Sequence, residues 1–359
     1  MFEVSSHFGN YTVEPADSVD RAIASALDAA GGAFVLADAR VEGLHPGAFA
    51  PVGDRSRLLL IEATEDAKSY AAIEPIICSL IEAGIKRNSS LVVVGGGVLQ
   101  DIGCFIASVL FRGVSWSLVP STLLAQCDSC IGSKSSINIG RYKNQLGTFN
   151  APKRVFLAFD LLQTLPEDEI RSGMGEIIKL SLVAGPGELA RLKANLAEYA
   201  KSALGLDRMV WDALAIKKAF IEEDEFDQGR RNLLNYGHTF GHAYESATRY
   251  GIPHGIAVAL GISTATYFSE RLGMAPPGSA DDLDGWLGPW YRPYDQTLLG
   301  TDPEAILRAM MLDKKNTGSS ITCILTRGPG SMEKTPLDAQ EQVRGLLGDY
   351  FGRLSGRAG

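Results

Sequence analysis

Leu91-Val-Val-Val94, with Gly95-Gly96-Gly97 directly behind it, constrains the fold of this chain more than any other stretch. An apolar run without alternation reads as a strand covered on both faces, the pattern of a parallel sheet under helices. The glycines end that strand and open a helical segment from Asp101 to Leu110. Similar units surround it. Ala33-Phe-Val-Leu-Ala37, ended by Asp38, reads as a strand, as do Arg57-Leu-Leu-Leu-Ile61 and Ser115-Trp-Ser-Leu-Val119. Ala71 to Ala83 carries Ile73, Ile76, Ile77, Leu80 and Ile81 at helical spacing. Strands separated by helices predict an α/β domain with a parallel sheet.

From about Leu165 the pattern turns helical. Pro166-Glu-Asp-Glu169 opens a helix with acidic residues in its first turn, where the helix dipole favours them. Pro303 to Leu312 and Asp338 to Leu354 read as amphipathic helices. No repeat or low-complexity linker marks the junction. The change of pattern places it near residues 160–170, giving an α/β domain over 1–165 and a mainly helical domain over 166–359.

A chain of 359 residues has room for two cores. Its net charge of -8 argues against a nucleic-acid partner, which needs a basic face. No apolar run reaches membrane-spanning length and no signal segment is visible, so a cytoplasmic location is expected. The five cysteines (Cys78, Cys104, Cys127, Cys130 and Cys323) read as reduced thiols. Cys127-Asp-Ser-Cys130 has redox or zinc spacing, but no second pair exists to close a four-cysteine site. Both are read as small buried residues that pack a loop.

Several clusters carry chemistry. A glycine triplet at a strand's carboxyl end lets backbone amides approach a phosphate, and the helix N-terminus behind it favours the anion. Arg112, Asp128, Lys134, Lys143 and Asn144 crowd among glycines and small residues, a local cationic set that suggests an anionic substrate. Glu176 and Lys179 share a helix face as a simple ion pair or as a metal ligand beside a substrate-binding ammonium. Of the five histidines, His238, His242 and His254 fall within seventeen residues. His238 and His242 lie on one helix face, and by spacing alone both could bind a divalent ion, with His254 completing the cluster.

In their order along the chain, these motifs resemble the dehydroquinate synthase family, the sugar phosphate cyclases. The matching stretches are Gly95-Gly-Gly-Val-Leu-Gln-Asp101, Phe111-Arg-Gly113, Val119 to Lys134 and Lys143-Asn144. They continue with Gly173 to Lys179, Arg231-Asn-Leu-Leu-Asn235 to His242, His254-Gly255 and Asp313-Lys-Lys315. The resemblance implies a Rossmann-like domain holding NAD and a helical domain holding a divalent metal, zinc or alternatively cobalt. It implies Glu176, His238 and His254 as ligands, with His242 left as an acid/base and phosphate-contacting group. Asp128, Lys134, Asn144, Lys179, Lys217, Arg231, Asn235 and Lys314 or Lys315 match substrate-binding or catalytic positions, and Arg112 matches a phosphate-binding arginine. Asp38, Glu65, Lys68, Gly95, Gly96, Gly97, Asp101, Thr122 and Lys143 match NAD-contacting positions.

The implied reaction oxidises one ring hydroxyl, eliminates phosphate, returns the electrons and closes a carbocycle by an intramolecular aldol step. The sequence departs from the family's usual pattern at four places. Ser133 and Gln100 stand where glycine is usual, and Ile256 and Asp227 where glutamate is usual. Related cyclases act on sedoheptulose 7-phosphate or glucose 6-phosphate. Retention of Lys134, Lys217, Arg231, Asn235 and His242 points to a seven-carbon acid phosphate, and so to a 3-dehydroquinate synthase-like activity in a homodimer. The competing readings are a secondary-metabolism cyclase for another sugar phosphate and a metal-dependent polyol or glycerol dehydrogenase that would accumulate NADH. Lys134, Lys143 and Arg231 argue against the dehydrogenase. A non-catalytic binding protein would not need Glu176, His238 and His254 together.

Overall fold

The computed structural model describes residues 1–28, 32–140, 142–202, 205–312 and 320–358. The chain forms two compact units. The first comprises Met1–Pro166 and Lys217–Phe226, and the second comprises Glu167–Ile216 and Asp227–Gly359.

The first unit opens with β1 (Phe2–Val4), β2 (Tyr11–Ala16), α1 (Val19–Asp28), β3 (Ala33–Asp38), α2 (Ala39–Leu44) and β4 (Leu58–Ile61). It continues with α3 (Tyr70–Glu82), β5 (Ser90–Gly95), α4 (Gly97–Val109), β6 (Ser115–Pro120), β7 (Lys134–Ile139), β8 (Tyr142–Phe149) and β9 (Arg154–Ala158). Seven strands form one sheet in the order β1-β2-β9-β6-β5-β3-β4. Every neighbouring pair is parallel except β1 with β2. β5 is buried along its whole length, as its unbroken valines require. One face of the sheet packs Val35, Val92, Val94, Val119 and Phe156 against Ile23 and Ala26 of α1.

The strand order has a functional consequence. β3 pairs with the next strand, β4, on one side and with β5 on the other, after which the chain builds outward through β6. The direction of winding therefore switches between β3 and β5. In open parallel sheets, ligands bind outside the carboxyl ends of the strands at such a point. Asp38 and the glycine triplet end the two strands that flank it.

The second unit is mainly helical. Its elements are α5 (Glu167–Ala184), α6 (Pro186–Ser202), the first half of α7 (Leu206–Glu223), α8 (His238–Ala247), α9 (His254–Arg271), α10 (Ser279–Tyr291), α11 (Asp295–Leu299) and α12 (Pro303–Met311). An antiparallel hairpin of β10 (Ser320–Thr326) and β11 (Met332–Asp338) precedes α13 (Arg344–Ala358). The hairpin falls between the two amphipathic helices read from the sequence, over a stretch for which no element is predicted. β11 reaches Asp338, whose carboxylate then caps the turn that follows, so the last helix starts at Arg344 rather than Asp338. α9 is buried on nearly every face and forms the centre of the unit, packed against α5, α8 and α10. No helix among the described residues is long and apolar enough to cross a membrane.

Candidate active site

In the first unit, the turn after β5 is built for close approach. Gly96 caps α4 without a side chain, and a Cβ there would stand 3.0 Å from the Thr122 methyl. Asp38 Oδ1 accepts a hydrogen bond from Arg40 N at 2.9 Å, which holds the carboxylate at the end of β3. A polar network runs beside this turn. Lys68 Nζ lies 2.6 Å from Asp101 Oδ2 and donates to Asn144 Oδ1 at 2.8 Å. Lys143 Nζ lies 3.4 Å from Glu65 Oε1, and Asn138 Nδ2 donates to the same oxygen at 2.9 Å. Burial raises the Asp101 carboxyl above the usual range, and the Lys68 ammonium opposes the shift. Asn144 sits at a left-handed φ of 53°, a conformation asparagine tolerates better than most residues. The structure thus joins five of the predicted cofactor and substrate positions: Glu65, Lys68, Asp101, Lys143 and Asn144.

Asp128 is half-buried and faces Lys217, whose Nζ donates to Asp128 O at 2.6 Å and lies 3.1 Å from Asp128 Oδ1. Lys134 is the exposed first residue of β7, six positions along the chain. Cys127 and Cys130 are buried, and burial pushes the Cys130 thiol up to about 12, so Cys130 does not serve as a reactive thiolate. Arg112 stands at the other end of α4 from the glycine turn. The helix has 13 residues, so its two ends are about 20 Å apart along the axis. Phe111, Arg112 and Gly113 all have left-handed φ values, so the guanidinium is displayed on a strained turn.

The second unit holds the cluster of Glu176, Lys179, His238, His242 and His254. Glycines bring it together. Gly175 and Gly255 meet backbone to backbone, where a Cβ on Gly255 would stand 2.6 Å from Ser172 C. Gly255 N also donates to Ser172 Oγ at 3.0 Å. This contact presses α5 onto α9 and sets Glu176 beside His254. Gly237 and Gly261 do the same for α8 and α9, since a Cβ on Gly261 would stand 2.9 Å from Gly237 C. That contact places His238 and His242 over the start of α9. One ring nitrogen from each histidine lies within 4.8 Å of the other two. His254 Nε2 is 3.3 Å from Glu176 Oε1, and His238 Nε2 is 3.6 Å from it.

Charge in the cluster is uneven. Glu176 is 1% exposed; its Oε2 is bonded to the Lys179 ammonium, while Oε1 accepts no hydrogen bond of good geometry. Burial works against its charge, but Lys179 and the two histidines outweigh it and hold the carboxyl well below the usual range. Burial and the Lys179 charge hold the His238 imidazole neutral, well below its ordinary value. His254 is the opposite case. Burial works against its proton, yet Glu176 and Glu245 together raise it to about 10. A buried carboxylate oxygen facing two imidazole nitrogens is the donor set a borderline divalent cation prefers.

The sequence does not single out Glu245. It lies on α8, three residues after His242, and its Oε2 stands 3.2 Å from His254 Nδ1. A carboxylate on one ring nitrogen of a histidine orients the ring and favours a proton on that nitrogen; the helical spacing from His238 and His242 is the signal that would have found it. Arg231 is buried and Asn235 half-buried; both belong to the short helical turn 230–235 that leads into α8. Lys314 and Lys315 lie outside the described residues, as does Arg141.

An α/β unit followed by a mainly helical unit is a fold with solved relatives. Two solved structures share it over nearly the whole chain. One is 2-deoxy-scyllo-inosose synthase complexed with carbaglucose-6-phosphate, NAD+ and Co2+ (TM-score 0.84, 22% identity, 97% of this chain and 99% of that one). The other is ValA, a 2-epi-5-epi-valiolone synthase from Streptomyces hygroscopicus with NAD+ and Zn2+ bound (TM-score 0.80, 23% identity, 99% and 98%). Residues 58–172 match the 3-dehydroquinate synthase N-terminal family model, and residues 173–316 match the 3-dehydroquinate synthase C-terminal model. The 3-dehydroquinate synthase of Rhodospirillum rubrum is 36% identical over 312 residues, covering 83% of this chain and 80% of its own. The chain belongs to the 3-dehydroquinate synthase family and is a 3-dehydroquinate synthase-like sugar phosphate cyclase, a carbon–oxygen lyase.

Proposed function

We propose that the enzyme converts a seven-carbon acid phosphate to 3-dehydroquinate, using NAD held by the first unit and one divalent ion, zinc or cobalt, held by the second. The observation that carries this is Glu176 Oε1, a buried oxygen that accepts no hydrogen bond of good geometry and faces His238 Nε2 and His254 Nε2. It favours Glu176, His238 and His254 as the ligands and leaves His242, exposed on the same helix, to move protons and contact phosphate. Asp38, the glycine turn and Thr122 flank the switch point, and a cradle that a Cβ on Gly96 would narrow suits a dinucleotide phosphate. When bound, the ion supplies Lewis acidity toward a substrate oxygen, and NAD supplies an oxidation that is later reversed.

The chain's own residues do the rest. Lys179 holds Glu176 ionised and keeps positive charge beside any oxyanion that develops. Asp128 and Lys217 form a fixed polar pair, and Lys134 and Asn144 lie on the β7–β8 hairpin that follows. Arg231 and Asn235 supply a cation and an amide next to the histidine helix. Arg231 in this reading pairs with the substrate carboxylate, a charge-assisted contact worth about 1.5–3 kcal/mol. The working form we propose is a cytoplasmic homodimer, which light scattering would check.

The test is turnover of the acid phosphate. Phosphate should appear in step with a carbocyclic product while the reduced-nicotinamide absorbance stays flat. NADH growing in proportion to product would favour a dehydrogenase instead. If sedoheptulose 7-phosphate is cyclised and the acid phosphate is not, the 3-dehydroquinate assignment fails and only the cyclase class stands.

A further inference from the structure

Asp128 is carried by a wide helical turn, Ala125–Ser129, closed by Cys130 N donating to Ala125 O at 3.0 Å. Turns that span five residues instead of four recur at functional sites because they push one side chain out of helical register. Four contacts within the first unit hold this one. Thr122 Oγ1 accepts from Ala125 N at 3.1 Å. Gln126, fully buried, donates to Pro120 O at 3.1 Å and to Ala158 O at 2.9 Å, tying the turn to the ends of β6 and β9. Lys217 grips Asp128 itself. The fourth contact is Gln100. Its Nε2 donates to the Ser129 carbonyl oxygen, and its Oε1 accepts from Ser129 Oγ at 2.9 Å.

This last contact has an unusual form. One side-chain amide satisfies both the backbone acceptor and the hydroxyl of a single residue, so it fixes that residue's orientation as well as its distance. Gln100 is 7% exposed and sits on α4 three residues after Gly97. A Cβ on Gly97 would stand 3.7 Å from Ser129 Oγ, so the glycine turn and the Asp128 turn touch at this point. Position 100 is also one of the four departures noted in the sequence. A glycine there would leave both polar groups of Ser129 without these partners.

We propose that Gln100 is a positioning residue. Through Ser129 it sets where Asp128 stands relative to the glycine turn, and so helps decide which sugar phosphate the site accepts. The proposal rests on the reading of Asp128 as a substrate-contacting group.

Gln100→Met keeps the side chain's bulk and removes both hydrogen bonds. It should lower kcat/KM for the sugar phosphate roughly ten- to thirtyfold, mostly through KM, with NAD affinity little changed. Ser129→Ala removes only the hydroxyl and should give a smaller loss in the same direction, which keeps the test open if Gln100→Met folds poorly. The deciding measurement is a double-mutant cycle with Asp128→Asn. In that background Gln100→Met should cost about twofold or less, because the group it positions is already gone. Equal losses in both backgrounds would overturn the proposal while leaving Asp128 as a substrate contact. An Asp128→Asn enzyme with an unchanged KM would instead remove the substrate role of Asp128, and the proposal with it.

Discussion

Gly255→Ala is the sharpest test of how the histidine cluster is assembled. An added Cβ would lie inside contact distance of the Ser172 carbonyl, 2.6 Å from its carbon and 3.0 Å from Ser172 Cα. Ordinary contact begins near 3.4 Å. The atoms in the way are backbone, so no side chain can rotate aside. α5 and α9 must part by roughly 1 Å, and overpacking on that scale costs about 3 kcal/mol. For a unit of this size that is a fall of about 6–12 °C in Tm. The same displacement moves His254 away from Glu176, where the pair now stands 3.3 Å apart. Ligand positions tolerate only about 0.2 Å, so metal occupancy should drop as well. Thermal unfolding and metal analysis on the purified variant read both effects. Gly345→Ala is the control: it lies in α13 with no atom near the added Cβ, and should raise stability by about 0.5–1 kcal/mol. A Gly255→Ala enzyme with the parent's Tm and full metal content would refute the claim that this helix contact places the ligands.

Three further outcomes follow from the same geometry. His254→Ala should lose the divalent ion and the activity together, whereas the parent should carry about one ion per chain by elemental analysis. Lys179→Met leaves Glu176 buried without its ammonium; it should cost about 3 kcal/mol of stability, and a Tm equal to the parent's would contradict the role given to the pair. Asp295 sits in a cavity lined by Asp281, Asp284, Arg292 and Arg357, where burial raises its carboxyl to about 6 against the opposing arginines. The folded form therefore binds this proton more tightly than the unfolded one, and the contribution is full below the unfolded value of 3.8 and lost as pH rises through about 6. Asp295→Asn should abolish that decline, gaining about 1–2 kcal/mol at neutral pH after allowance for the cavity's opening to solvent; parallel curves for the two proteins in urea titrations across this range would count against it.

Much of this molecule is legible in its residues. The unbroken valines of β5 and the apolar runs of β3 and β6 mark the buried parallel strands. The crowding of three histidines marks the cluster in the second unit. What escapes notice does so for physical reasons. β2 alternates Tyr11 and Val13 inward, but its six residues include Pro15, which dilutes the strand pattern. β7 and β8 carry the lysines and asparagines of the motif, so their polarity reads as loop, although they pair antiparallel with one register shift between Ile137 and Ile139. β10 is an apolar run whose length fits helix or strand equally, and only its partner β11 decides. The glycines flanking Glu176, His238, His242 and His254 look like parts of a catalytic signature. The structure gives several of them a mechanical task, the close approach of helices, which spacing in one chain does not reveal.

The division of α7 bears on how such enzymes can be recombined. Its residues from Lys217 onward group with the first unit. There Lys217 grips Asp128, while Glu222 and Glu225 accept hydrogen bonds from the backbone at Ser5 and His7. A chimera that exchanged everything after Pro166 with a relative would import a foreign partner for the amino terminus and for Asp128 in one stroke. Crossover points that respect the fold must come as a set, with the stretch from Lys217 to Phe226 travelling alongside the first 166 residues. Inheritance of the two halves is thereby linked, and sequence drift in the opening residues is answerable to a helix more than two hundred positions downstream.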